Sequence, residues 1–375
     1  MDLNPALSSD EEQHIHAHLQ RLATSRQVLP TPLMLADVEY DPNDPIDGGG
    51  SGFIYRGQFR GRGVCVKVIR TSSHRIEMRQ TLSAVVEELI LSVRMLASPY
   101  SLPVYGFCEA IDEPGHFCIV LPWMEHGDLS RYLEKHPDCF RTPFVSDIVT
   151  GLEFLHNSLH VIHCDLKLAN VLVQTLSNGD PRAVLTDFGI SVLIEAEDGN
   201  GKDGFVGSIN WMAPELLKME ATPSQETDVW AFGCVIYETL AGQIPFFEYP
   251  TAPQLAGAMM RHRIIPQRPT LTGLRQEESD VLWPTALRCW AYNPQERPTS
   301  KELTEKIPNS NRYEPSDRLV FPAPGTATDD EENHDSERLE FMSSQTARWP
   351  ISQHAKIDTD RAFSILRREC RLIRE

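Results

Sequence analysis

Three short apolar runs, Val161-Ile162, Val171-Leu172-Val173 and Ala183-Val184-Leu185, bracket two polar clusters in the middle of the chain. The first cluster is His163-Cys164-Asp165-Leu166-Lys167-Leu168-Ala169-Asn170, and the second is Thr186-Asp187-Phe188-Gly189. Runs this short and this apolar read as buried β segments. The carboxylates of Asp165 and Asp187, the Lys167 ammonium and the Asn170 amide are therefore expected at strand ends and turns. A rigid frame on either side holds them at fixed offsets.

Phosphoryl transfer needs such a set. One carboxylate accepts the proton of the attacking hydroxyl, a carboxylate and an amide oxygen hold Mg²⁺, and an ammonium group offsets charge on the transferring phosphate. The two clusters, in this order, resemble the catalytic loop and metal-binding motif of eukaryotic protein kinases. One departure is visible: Cys164 stands where the family usually has Arg.

Upstream, Ile46-Asp47-Gly48-Gly49-Gly50-Ser51-Gly52-Phe53-Ile54 places glycines between β-prone residues, where bare backbone N–H groups can approach phosphate oxygens. Against the kinase glycine-rich loop, Gly49 and Gly52 fill the second and third glycine positions and Asp47 occupies the first. Val64-Cys65-Val66-Lys67 follows as an alternating strand that ends in lysine, similar to the family's nucleotide-gripping strand. Ser83 to Leu96 mixes apolar and acidic residues at helical period. The resemblance implies that a glutamate of that helix pairs with Lys67. Glu87 and Glu88 compete for the role, and Glu88 is preferred because Val85, Leu91 and Met95 share its face. Cys118-Ile119-Val120-Leu121 leading into Pro122-Trp123-Met124 resembles the hinge between the lobes. There Met124 would face the adenine edge and Leu121 the back pocket, while Pro122 removes one backbone N–H. The resemblance implies that Ile54, Cys65 and Leu172 complete the nucleotide-contacting set.

Asp128 to His136 and Pro143 to Ser158 are expected as helices, the second leading into the catalytic loop. Gly207-Ser208-Ile209-Asn210-Trp211-Met212-Ala213-Pro214-Glu215 resembles the end of a kinase activation segment. By resemblance Glu215 forms a buried ion pair with Arg297, and Ser208 links catalytic and substrate-binding groups. Asp228-Val229-Trp230-Ala231-Phe232-Gly233 opens a helix apolar on all faces, hence central to the larger lobe. Asp228 would hold the catalytic-loop backbone, and an ordinary N-cap role is compatible with that.

The 375 residues can hold one large domain or two small ones. The resemblance covers about 38–307, with a smaller lobe at about 38–123 and a larger one at about 124–307. Residues 1–37 form an extension, with a helix expected from Asp10 to Arg26. Residues 308–375 turn polar and acidic, as in Asp329-Asp330-Glu331-Glu332, and read as largely disordered with a short amphipathic helix near the end. A formal net charge of −18 argues against a general nucleic-acid or anionic-membrane binder. Eight cysteines without a Cys-x-x-Cys pair suggest reduced thiols rather than disulfides or a zinc site. No secretory signal is read at Met1 to Asp10, and no apolar run reaches membrane-spanning length. A soluble cytoplasmic or nuclear protein without membrane insertion is expected.

The resemblance thus implies an α+β, bilobal protein kinase fold: a small, mainly antiparallel β lobe with one main helix, a larger α-helical lobe, and an ATP cleft between them. It implies ATP and Mg²⁺ as cofactors and protein substrates as partners, with regulatory partners unnamed. Asp165 is the expected base, Lys167 the stabiliser of the γ-phosphate, Asn170 and Asp187 the Mg²⁺ ligands, and Lys67 the grip on the α- and β-phosphates. Asp165-Leu166-Lys167-x-x-Asn170 leans to Ser/Thr specificity, while Trp211-Met212-Ala213-Pro214-Glu215 and Asp228-Val229-Trp230 lean to the tyrosine-kinase-like group. The alternative, on the strength of Asp47 and Cys164, is a pseudokinase acting as a nucleotide-binding scaffold or interaction module. With Cys164 unable to receive a phosphate and no Ser, Thr or Tyr between Ser191 and Ser208, activity without activation-segment phosphorylation is expected.

Overall fold

The computed structural model describes residues 35–49, 52–69, 98–111, 117–187, 209–217, 222–269 and 276–307. The expected helices at Asp10–Arg26 and Ser83–Leu96, the activation segment before Ile209 and the tail from 308 lie outside the described residues.

Alternating side chains in the first part of the chain build an antiparallel sheet. Its strands are β1 (Glu39–Tyr40), β2 (Asp47–Gly49), β3 (Gly52–Phe59), β4 (Arg62–Ile69), β5 (Gly106–Glu109) and β6 (Phe117–Pro122). They lie in the order β1-β3-β4-β6-β5, and β2 also pairs with β3. The turn between β3 and β4 has only Arg60 and Gly61, with φ of 50° and 71°. Two consecutive positive φ values match the right-handed twist of the flanking strands, which keeps Phe59 opposite Arg62. One face of the sheet closes a small core of Tyr40, Tyr55, Phe59, Val64, Val66 and Val120.

After β6 the chain crosses to the larger lobe. There α1 (Leu129–Lys135) is capped by Asp128, whose side chain accepts the N–H of Arg131. Next, α2 (Thr142–Glu153) runs into a wider, π-type turn at Phe154–Leu159. The expected helix therefore stops about a turn early as an α-helix. In the wider turn His156 is buried and directed at another helix rather than at solvent. A hairpin of β7 (Val171–Thr175) and β8 (Pro181–Leu185) follows, then α3 (Gln225–Ala241), α4 (Ala252–His262), α5 (Gln276–Cys289) and α6 (Ser300–Lys306).

Helix α3 organises this lobe. Every residue from Thr227 to Leu240 is buried, so the helix is encircled, as its all-round apolarity requires. It starts with a capping box of Ser224 and Thr227, and it ends at Gly242 in a left-handed turn. Asp228 thus sits a full turn inside the helix and is not its N-cap, which corrects the simpler reading of that residue. The end of helix α5 packs so closely on α3 that a Cβ at Gly233 would come within 2.8 Å of Cys289 Cβ. The lobes are stitched where Leu102 N–H donates to Leu185 O and Leu185 N–H donates to Tyr100 O, both at 2.8 Å. Among the described residues no helix is long and apolar enough to cross a membrane.

Candidate active site

The loop before β7 is held from below by one buried carboxylate. Asp228 accepts the N–H groups of His163 (2.7 Å) and Cys164 (2.9 Å), and it meets His156 Nε2 at 2.9 Å. This grip supports a left-handed backbone at Cys164, with φ of 68°, a conformation that non-glycine residues adopt at a cost. The bend leads directly into Asp165. Burial pushes the Cys164 thiol up to about 12, with the Asp228 and Asp165 charges adding to the effect, so the side chain stays neutral. Burial likewise lowers His163, whose imidazole is neutral in the floor of the site.

Three functional groups of the first cluster meet at Asp165. Lys167 Nζ lies 2.7 Å from its Oδ2, and Asn170 Nδ2 donates to both its backbone O and its Oδ2 at 2.8 Å. A single turn of 3₁₀ helix, Leu168–Asn170, creates the spacing. It brings a side chain five residues away back onto the carboxylate.

The second cluster docks on the first when Thr186 N–H donates to Asn170 O at 3.1 Å. Asp187 follows with φ of 59°, another left-handed residue at the focus of the site. Lys67 reaches it from β4, with Nζ 2.5 Å from Oδ1 across a sequence separation of 120. Burial is the largest influence on the Asp187 carboxyl and pushes it up, but the charge and hydrogen bond of Lys67, with smaller help from His163 and Lys167, together keep the group below the ordinary carboxylate range. An ionised carboxylate and a carboxamide side by side are the oxygen donors that a hard divalent cation takes, so the residues present fit Mg²⁺. Among the described residues no cluster of three His, Cys, Asp or Glu side chains is grouped to hold a metal, so such an ion would depend on Asn170 and on oxygens from its nucleotide.

The remaining residues singled out from the sequence lie on elements of both lobes. Gly49 pairs with Gly52 at the mouth of the β2–β3 hairpin, whose tip, Gly50 and Ser51, is outside the described residues. Ile54 is the cross-strand partner of Lys67, and Cys65 the partner of Leu121. Cys65 on β4 and Leu172 on β7 are each half-buried between fully buried valines, so both turn away from their own lobe's core. Met124 is buried in the crossing, and its carbonyl accepts the Gly127 N–H at 3.1 Å. Glu87, Glu88 and Ser208 lie outside the described residues.

Beyond the loop, Arg297 grips Glu215 in a two-pronged pair, Nη1–Oε1 at 2.5 Å and Nη2–Oε2 at 2.8 Å. Its guanidinium also donates to Glu226 O and Ala291 O and lies 5.1 Å from the Trp230 ring centroid. One tie was missed from sequence. Glu238 Oε2, on α3, accepts both Leu168 N–H (3.1 Å) and Trp211 Nε1–H (2.6 Å), joining the catalytic loop to Ile209–Trp211. Burial pushes this carboxyl up to about 7, and the two hydrogen bonds only partly counter that. Its signal was available: an acidic residue near the end of a largely apolar helical run.

The sequence profile of the protein kinase domain matches residues 40–307. The serine/threonine/tyrosine-protein kinase HT1 of Arabidopsis thaliana is 34% identical over 255 residues, which is 67% of this chain and 61% of the relative. Mitogen-activated protein kinase kinase kinase 10 of Xenopus laevis is 28% identical over 286 residues, 74% of this chain and 27% of the relative. The serine/threonine-protein kinase STY46 of Arabidopsis thaliana is 28% identical over 266 residues, 70% of this chain and 42% of the relative. The matched part of the chain thus spans less than two thirds of each relative's length. With its two lobes, its buried central helix and a profile match over most of its length, this chain belongs to the protein kinase family.

Proposed function

We propose that this chain is a protein serine/threonine kinase that transfers the γ-phosphate of ATP, with Mg²⁺, to hydroxyl groups of protein substrates in a signalling pathway. The observation that carries the reading is the meeting of Lys67 with Asp187, beside the Asp165, Lys167 and Asn170 set. A purely structural module has little use for two left-handed residues, a buried lysine and an ionised carboxylate at one focus.

In this reading Cys65, Leu121, Met124 and Leu172 border the adenine, with Ile54 above, and Gly49 and Gly52 leave room for the phosphates. Lys67 holds the α- and β-phosphates. Asp187 and Asn170 hold the cation, which when bound neutralises charge on the phosphates. Asp165 orients the acceptor hydroxyl and takes its proton. Lys167 is already at hydrogen-bond distance from Asp165, so it is placed to follow the charge that develops on the γ-phosphate. Glu88, in the stretch where the sequence leads one to expect a helix, would orient Lys67, and Ser208 would link the acceptor to the loop.

The test is transfer from labelled ATP and Mg²⁺ to generic Ser/Thr and Tyr acceptors, with Asp187→Asn beside the parent. Label on phosphoserine and phosphothreonine, lost in the variant, is the expected result. Predominant phosphotyrosine would refute the acceptor class, and equal turnover by the variant would refute the site.

A further inference from the structure

Asp47 stands where the family's loop has its first glycine, and the catalytic set makes no use of it. Its two carboxylate oxygens have different partners. Oδ1 accepts the Gly48 N–H at 2.8 Å and so shapes the root of the glycine hairpin. Oδ2 meets Nη2 of Arg131 at 3.2 Å. Asp47 belongs to β2 in the smaller lobe, and Arg131 to the first turn of α1 in the larger one. The guanidinium is aimed from below, because its Nε lies 3.3 Å from Oδ2 of Asp128, the residue that caps α1. Arg131 therefore bridges one carboxylate from each lobe. A planar guanidinium can serve both at once, whereas a lysine presents a single point charge.

We propose that the Asp47–Arg131 pair is a clasp across the mouth of the cleft, which holds the glycine hairpin down on the larger lobe and slows nucleotide release. The proposal rests on the nucleotide-binding reading above and adds a positioning role for two residues outside the catalytic set. A second ion pair shows why this location matters. Arg56 of β3 lies 3.2 Å from Glu125, with its guanidinium 4.9 Å from the Trp123 ring centroid. That pair ties β3 to the crossing itself, next to the pivot, and changes little when the lobes part. Asp47 and Arg131 lie on opposite sides of the pivot and separate as the cleft opens.

Asp47 and Arg131 side chains are 51% and 62% exposed, so water and salt weaken their attraction. An exposed pair of this kind changes a rate by no more than about fivefold. That suits a contact which has to open once in every turnover.

The test is stopped-flow release of a fluorescent ATP analogue, with Mg²⁺, from the full chain. The proteins are the parent, Asp47→Asn, Arg131→Gln and the double variant. Asparagine keeps an oxygen for the Gly48 N–H, so Asp47→Asn removes the charge and leaves the hairpin root. Each single variant is expected to release the analogue roughly two- to fivefold faster at low salt. The double variant should be no faster than the faster single one, and raising the salt should speed release more from the parent than from any variant. Additive effects of the two substitutions, or an identical salt dependence in all four proteins, would overturn the clasp. A parent that binds no analogue would remove the nucleotide site and the clasp together, whereas binding with additive effects would remove the clasp alone.

Discussion

At the scale of single residues, two buried groups carry the clearest predictions, Lys67 and Glu238. Lys67 is buried and pairs with Asp187, so Lys67→Met should abolish phosphoryl transfer while the chain still folds. Methionine fills the same stem volume without the charge. Turnover near the parent rate in a folded variant would refute the assignment. Glu238 makes a different prediction. Burial raises its carboxyl from 4.5 to about 7, so between those values the folded protein binds a proton that the unfolded chain has released. Its contribution to stability is present below about pH 4.5, declines as pH rises through that window, and is fully lost above about pH 7. Glu238→Gln keeps an oxygen for Leu168 N–H and Trp211 Nε1–H but has no proton to lose. The variant should therefore gain stability relative to the parent as pH rises from about 5 to about 8, read from urea midpoints. Parallel curves for the two proteins would contradict this.

At the scale of elements, α3 carries the catalytic loop, and Asp228 is where the two join. Three donors, His163 N–H, Cys164 N–H and His156 Nε2, converge on its carboxylate. Asparagine offers one acceptor oxygen and places an NH₂ group against donors. Asp228→Asn should destabilise the fold by about 3 kcal/mol, because hydrogen bonds to a charged group contribute about 1.5–3 kcal/mol each. Turnover should fall as well, since the left-handed turn at Cys164 aims Asp165. Unchanged denaturant midpoint and turnover would show that the loop holds itself. The elements were largely legible from periodicity: the alternation around Val64-Cys65-Val66 read as a strand, and the unbroken apolar run from Val229 read as a buried helix. The π-type turn at Phe154–Leu159 was not, because its widening follows from a partner on another helix rather than from local spacing.

At the scale of the molecule, the ion pair between Glu215 and Arg297 ties the segment after the catalytic loop to the end of the domain. The Arg297 side chain is fully buried, and its partner is mostly so. Arg297→Met leaves Glu215 without its counter-charge in that interior and should destabilise the larger lobe by about 3–5 kcal/mol, measured by chemical denaturation. A loss below about 1 kcal/mol would mean that the segment is held by packing alone. Ligand linkage gives an independent check on the whole cleft. Mg²⁺ and ATP at about 100 times the dissociation constant should stabilise the folded state by about 2.7 kcal/mol. The thermal midpoint should rise in the parent and much less in Lys67→Met.

The sequence by itself determined which chemical groups exist, in what order, and which of them share a loop. Asp165, Lys167 and Asn170 lie within six residues, so one 3₁₀ turn was enough to bring them together. Only the tertiary structure decided partners drawn from distant elements. Lys67 meets Asp187 because β4 and the end of β8 are packed at the same cleft, and Asp228, whose hold on the catalytic loop the resemblance already implied, exerts it from inside its helix rather than from the cap. Asp47 looked like a defect in a glycine loop until α1 placed Arg131 beside it. Local spacing constrains contacts within a few residues. A contact across 84 or 120 residues depends on how separate apolar faces are buried against each other, and no local pattern encodes that.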